Sequence, residues 1–256
     1  MQNLDGVILE RLKRPHPKDS SLVPFSTPVV SFGDPSTSKI VTIGINPSCV
    51  EFESKTGLLT ENKRRLEDFR SLKIADSNQI TDELASRIHA GCLNYFSRKP
   101  YGWFNQLDKR INLLFDSSYY AGTSAHLDLV QWATNPVWSQ IKERSVQASL
   151  LHSDADFLRH QLTTTSARFV YLSGEQVFNQ MKYVGLISAE IVASYTYLSD
   201  KGRVSSYSFY KGETFNGIPV GGWSRVMPGH YVPRPNMDEV FTKLTNFLEK
   251  FRTTMA

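Results

Sequence analysis

Cysteine is scarce in this chain of 256 residues, with Cys49 and Cys92 the only two. Two thiols cannot build a disulfide scaffold, a four-cysteine zinc site or an iron–sulfur cluster. They point to a reducing, cytoplasmic setting. Long apolar runs are missing too: no stretch approaches the ~20 apolar residues that span a bilayer, so no membrane partner is expected. The opening Met1-Gln2-Asn3-Leu4-Asp5-Gly6-Val7 lacks the positive start and apolar centre of a secretory signal. The pattern Gly-x-x-x-x-Gly-Lys-Ser/Thr does not occur, which argues against ATP or GTP turnover of that type. No His, Cys and Asp grouping has a metal-site spacing, and neither a metal nor another cofactor is expected. Internal repeats and low-complexity segments are also lacking.

What is present describes a globular chain. Hydrophobic residues make up 40% and aromatic residues 12%, enough for a real core and too much for disorder. The length suits one α/β domain, or at most two small ones. A net charge of +4 permits an anionic partner without demanding one. The first 35 residues are rich in Pro, Ser and cations, with Arg11, Lys13, Arg14 and Lys18 among Pro15, Pro17, Pro24 and Pro28. Their composition reads as an irregular basic lead-in, which leaves 36–256 as a single α/β domain.

Periodicity fills in that domain. Lys39–Ile45 is short, β-branched and nearly all apolar, as a strand buried on both faces should be. Helical spacing predicts helices over Glu61–Leu72, Asp82–Phe96, Phe104–Phe115, Asp154–Leu162 (with Ser153 or Asp154 as N-cap), Glu175–Val184 and Met237–Phe251. Leu127–Trp132 reads as a strand end, Arg168–Ser173 as a second buried strand, Ile191–Phe215 as a strand pair and Ile218–Val226 as a last strand. Alternating strands and helices predict a three-layer, doubly wound α/β fold around a central, mostly parallel sheet. Ligands in such folds bind beyond the C-terminal ends of the strands.

Three loops at such ends carry candidate chemistry. The first is Gly44-Ile45-Asn46-Pro47-Ser48. Pro47 fixes its own φ and biases Asn46 toward an extended conformation, and Gly44 allows close approach to the backbone. The loop therefore holds one short amide stiffly, able to aim a water or read a hydrogen-bonding edge; an Asx-type turn without chemistry is the plainer alternative. The second is His126-Leu-Asp128-Leu-Val-Gln131-Trp132-Ala-Thr134-Asn-Pro136, where Asp128 could orient a partner or accept a base N–H, or simply cap a turn. The third is Val226-Met-Pro228-Gly229-His230-Tyr231-Val-Pro233-Arg234-Pro235-Asn236, a stiff loop offering His230 as a donor near neutral pH and Arg234 as an anion contact. No Asp or Glu occurs from Thr214 to Met237, while Arg225 and Arg234 do. Aromatic residues interleave with those cations, the combination a nucleic-acid surface needs.

In order and spacing the three loops together resemble the uracil-DNA glycosylase superfamily. The first is similar to the Gly-Ile-Asn-Pro-Gly motif of the mismatch-specific branch, with Ser48 in place of glycine. The second is similar to that branch's Thr-Asp/Asn-Leu-Val motif, and the third to the His-Pro-Ser-Pro-Arg-Asn type of the single-strand-selective branch, although Tyr231 follows His230. The resemblance spans roughly residues 36–250 as motifs rather than continuous similarity. It implies a monofunctional enzyme, with DNA as partner and a monomer as the expected assembly, that flips out a uracil or related deaminated base and hydrolyses its N-glycosidic bond. Asn46 would orient the attacking water at C1′ and His230 would donate to the base O2 as charge develops there. Phe52 would stack on the base, and Tyr231–Pro235 would fill the vacated duplex space. Gly44, Ile45, Pro47, Ser48, Asp128 and Arg234 complete the substrate-binding set, with Lys63, Arg64, Arg65 and Arg225 as further phosphate contacts. The competing readings are a non-catalytic nucleic-acid or nucleotide-binding protein of the same fold, and a hydrolase of free nucleosides or nucleotides.

Overall fold

The computed structural model describes residues 4–18, 21–54, 57–198, 202–225 and 234–255, with the backbone alone at 234–238, 241 and 252–255. The six-stranded sheet has the order β4-β1-β5-β8-β7-β6, built from β1 (Ile40–Gly44), β4 (Ser124–Asp128), β5 (Phe169–Ser173), β6 (Ile187–Leu198), β7 (Val204–Thr214) and β8 (Pro219–Trp223). β1, β5 and β8 run parallel, with Ile40 opposite Phe169 and Val170 opposite Val220. β7 and β6 extend this parallel centre as an antiparallel hairpin. With helices flanking it, the architecture is α/β, as the alternating pattern predicts.

By its internal contacts the chain forms two compact units. One comprises Met1–Asp34, Ile45–Tyr101 and His126–Thr164. Its helices are α1 (Gly6–Lys13), α2 (Phe69–Leu72), α3 (Asp82–Leu93) and α5 (Arg144–Thr164), and a two-residue ladder pairs β2 (Glu53–Ser54) with β3 (Gly57–Leu58). Asp5 starts α1 by accepting from the backbone N–H groups of Val7 (2.8 Å) and Ile8 (3.2 Å). Thr81 does the same for α3 through Leu84, and Ala85, Ile88 and Cys92 form its buried stripe.

The other unit comprises Pro35–Gly44, Gly102–Ala125 and Thr165–Ala256. Its helices are α4 (Trp103–Phe115), α6 (Glu175–Tyr183) and α7 (Arg234–Met255). All five residues of β5 are buried, which explains its unbroken apolar run. Gly174, at φ 107, makes the turn from β5 into α6 in a region that favours glycine. Gly222 in β8 serves a different need: a Cβ there would lie 2.2 Å from the Leu172 carbonyl oxygen. Phe178 stacks on Tyr210 with ring centroids 3.9 Å apart, and Phe247 stacks on Phe209.

Three local expectations are corrected. The basic lead-in is not irregular throughout. It carries α1, and Arg11, Leu12, Val23, Val29, Val30 and Phe32 from it are buried. Residues 61–72 do not form one helix. A short 3-10 turn at Glu61–Lys63 gives way to extended chain, and α2 begins only after Asp68. Partners distant in sequence overrule the helical spacing here: Ser26 bridges Asp68, and Thr27 Oγ1 donates to the Glu67 carbonyl at 2.7 Å. Asp154 does not cap a helix. It lies inside α5, which starts ten residues earlier at Arg144, and its carboxylate is taken up by side chains from elsewhere in the same unit.

Candidate functional site

β1 is buried through Ile43 and ends at half-buried Gly44, which delivers the first loop to the end of the strand. Ile45 follows, and its carbonyl accepts from the Val130 N–H at 2.8 Å, so the first and second loops are joined directly. Pro47 is buried and Ser48 exposed, and Ser48 bridges Thr134, which also bridges Leu22. Asn46 sits half-buried between these ties. Its Nδ2 donates to the Pro47 carbonyl at 2.9 Å and to Thr134 Oγ1 at 3.0 Å, with the Trp132 carbonyl at 3.4 Å. Both amide hydrogens are therefore committed. Oδ1 has no donor among the described residues and remains an acceptor whose position is fixed by the other end of the amide.

The chain then turns through Cys49–Glu51, closed by the Glu51 N–H on the Ser48 carbonyl at 3.1 Å. Glu51 is only 2% exposed. Its Oε2 accepts the Tyr95 hydroxyl at 2.7 Å, and the same hydroxyl oxygen accepts from the Tyr101 N–H at 2.8 Å. Burial pushes the Glu51 carboxyl up to about 7, against the opposing pull of the Tyr95 hydrogen bond and of Arg65, with the Asp128 charge adding to the rise. Sequence reasoning did not single out Glu51. Nothing in its spacing marks it, and its partners Tyr95, Arg65 and Asp128 are 44, 14 and 77 residues away.

Asp128 is the last residue of β4, and its side chain is buried. Oδ1 lies 3.4 Å from His126 Nε2, while Oδ2 is buried without a hydrogen-bond partner among the described residues. Asp128 stands two residues before Val130, whose N–H holds the Ile45 carbonyl next to Asn46. Phe52 is placed differently from its expected role: it is 2% exposed, so its ring is part of the core rather than an open face for stacking.

The second loop is held from below by a network built around Asp154. Arg11 Nη2 donates to Asp154 Oδ2 at 3.0 Å and Arg11 Nε to Gln131 Oε1 at 2.9 Å. The Gln131 N–H reaches Asp154 Oδ2 at 2.9 Å, and Gln131 Nε2 donates to the Asp128 carbonyl at 2.8 Å. Arg14 adds a bond to Asp154 Oδ1 at 3.0 Å. The Arg11 guanidinium also lies 5.0 Å from the Trp132 ring centroid. Arg11, from the basic lead-in, is thus a buried support for the Asp128–Thr134 loop.

Arg65 donates to the Val50 carbonyl at 2.6 Å and braces the turn before Glu51, while Lys63 is exposed. Arg225 donates to the Ser206 carbonyl at 2.6 Å. His230 and Tyr231 lie outside the described residues, and Arg234 opens α7 with its side chain outside the description. Among the described residues no group of three or more His, Cys, Asp or Glu could hold a metal ion, and no helix is long and apolar enough to cross a membrane. No protein-family model and no curated protein matches this chain.

Proposed function

We propose that this protein is a monofunctional DNA glycosylase that extrudes a uracil or related deaminated base and hydrolyses its N-glycosidic bond. The observation that carries the reading is the tether on Asn46, whose Nδ2 is committed to the Pro47 carbonyl and Thr134 Oγ1. An amide fixed at its nitrogen presents its oxygen in one place, where it accepts a hydrogen from the attacking water and aims the water's lone pair at C1′. A neutral amide is too weak a base to take that proton in the ground state. The chemistry it serves is therefore one in which the glycosidic bond breaks ahead of attack and the sugar carries oxocarbenium character. The leaving base then gathers negative charge at O2, and His230 is the proposed donor to it. Lys63, Arg225 and Arg234 are the proposed phosphate contacts. Base extrusion costs on the order of a few kcal/mol, which contacts to the flipped base must offset.

The reading is tested by single-turnover cleavage of labelled oligonucleotides. Each carries one uracil, hypoxanthine, xanthine or thymine mismatch, as single strand and as duplex, with alkali revealing abasic sites. Cleavage that disappears in N46A supports the reading and names the base. Salt-sensitive DNA binding without cleavage by the parent protein favours the non-catalytic alternative.

A further inference from the structure

The β6–β7 hairpin outruns the sheet it joins. Ile43 of β1, Leu172 of β5, Gly222 of β8, Tyr210 of β7 and Ile191 of β6 share one row across that sheet. β8 pairs with β7 over residues 209–213, whereas β6 and β7 stay paired out to Leu198 opposite Val204. Residues 204–208, with their partners 194–198, therefore form a two-stranded arm that continues past the last pair of β8, Trp223 with Phe209. At about 3.3 Å per residue that extension comes to roughly 16 Å. Because β7 runs against β8, and β8 runs with β5 and β1, the arm leaves the sheet at the C-terminal ends of the parallel strands. That is the end at which β1 stops at Gly44 and leads into Asn46.

The two faces of the arm differ. Tyr195 stacks on Tyr207 with ring centroids 5.3 Å apart, Lys243 Nζ of α7 lies 4.5 Å from the Tyr195 centroid, and Phe247 of α7 stacks on Phe209. These rings are engaged with one another and with α7, so they do not form an open stacking surface. The opposite face carries three cross-strand pairs: Ser194 with Ser208, Thr196 with Ser206, and Leu198 with Val204. Ser194, Thr196 and Ser206 are exposed, and the Ser194 and Ser208 hydroxyls bond each other at 2.8 Å. Charge on the segment is one-sided. Residues 191–212 hold a single acid, Asp200, against Lys201, Arg203 and Lys211, and the acid-free stretch from Thr214 follows. Arg203 is exposed, and Arg225 reaches the arm by donating to the Ser206 carbonyl at 2.6 Å. Glu175 stands at the arm's base, its N–H on the Ser224 carbonyl at 3.0 Å.

We propose that this arm is a phosphate-binding element that lies along the sugar–phosphate backbone of DNA flanking the extruded base. Ser194, Thr196 and Ser206 donate hydroxyl hydrogens to phosphate oxygens, and Arg203 and Arg225 supply the opposite charge. The inference rests on the glycosylase reading for taking DNA as the polyanion. Hydroxyl and guanidinium contacts to phosphate carry no sequence information, so the arm fixes the register of the strand and leaves the choice of base to the loops. Leu198 and Val204, 64% and 71% exposed at the tip, rest on deoxyribose, which covers their apolar surface.

The test is equilibrium binding of the full chain to a short labelled oligonucleotide carrying one uracil, as single strand and as duplex, from about 50 to 200 mM salt. T196E places a negative charge on the exposed hydroxyl face. L113E places the same charge on α4, where Leu113 is 63% exposed, and controls for net charge. T196E should weaken binding by about 5- to 10-fold at the lowest salt, with little change in L113E. R203A should reduce the slope of log affinity against log salt by about 0.7–0.9, the loss of one phosphate contact. All three positions are exposed, and urea midpoints close to the parent's show that the variants fold. Binding in which T196E behaves like L113E, or in which R203A keeps the parental slope, overturns the inference and leaves the glycosylase reading to its cleavage assay. Absence of binding to either form by the parent overturns it too. The expected pattern of binding without any abasic site formed upholds the arm's role and sinks the glycosylase reading.

Discussion

Replacing Glu51 by Gln should change the pH dependence of stability in a calculable direction. The folded chain holds the Glu51 carboxyl at about 7, against an ordinary value of 4.5. A folded-state value raised above the unfolded one means that its favourable contribution is fully present below pH 4.5 and is lost as pH rises to about 7. The unfolded chain gives up its proton first, and the folded chain must follow at a cost. Two and a half pH units at roughly 1.4 kcal/mol each come to about 3 kcal/mol lost between pH 4.5 and pH 8. Gln has no proton to lose, so E51Q lacks this term. Urea unfolding at pH 5, 6, 7 and 8, followed by tryptophan fluorescence, isolates it in the difference between variant and parent, where titrations common to both cancel. That difference should move toward the variant by about 2–3 kcal/mol from pH 5 to pH 8. A difference constant to within about 0.5 kcal/mol across the range would refute the raised Glu51 value.

Other expectations follow from the same geometry. N46A should lose most single-turnover cleavage while retaining DNA affinity in a binding titration. T134V removes an acceptor from the Asn46 amide and should slow cleavage by about 10- to 100-fold through misplacement of Oδ1, with little change in affinity. R11M leaves buried Asp154 without the fully buried one of its two cations and should destabilise the fold by about 3–5 kcal/mol in urea unfolding. G222A drives a methyl into the Leu172 carbonyl and should cost about 3 kcal/mol by the same measurement.

The sequence was most legible where local pattern and tertiary environment agree. β1, β5 and β8 are short apolar runs because neighbouring strands and helices cover both their faces, so their composition alone locates them within two or three residues. α4 and α6 are legible for the matching reason: one apolar stripe suffices to seat each. Legibility failed where the partner is remote. Thr27 and Ser26 pull residues 64–68 straight, and no window around Leu66 contains that information. Asp154 looks like a cap because its neighbours are polar, yet its partners Arg11, Arg14 and Gln131 lie 143, 140 and 23 residues away. The same asymmetry governs the site. Asn46 could be picked out because Gly44 and Pro47 shape the backbone around it. Glu51 could not, because what makes it unusual is burial against Tyr95 and Asp128.

Placement of the Arg11 network beneath the candidate site has its own physical logic. The Asp128–Thr134 segment must hold Thr134 and the Trp132 carbonyl where they fix the Asn46 amide, while Asp128 Oδ2 is buried with no hydrogen-bond partner among the described residues. A segment free to relax would turn Asp128 outward or find it a donor, since a buried unsatisfied acceptor is costly. Gln131 prevents this. Its side chain holds the Asp128 carbonyl while its own N–H is pinned by Asp154, and Asp154 is in turn held by Arg11 and Arg14. The segment is thus held by charge-assisted bonds from Arg11 and Arg14 to Asp154, which are individually stronger than the neutral bonds they support. On this account the basic lead-in is part of the site's foundation, because Arg11 and Arg14 hold the Asp154 carboxylate that pins Gln131.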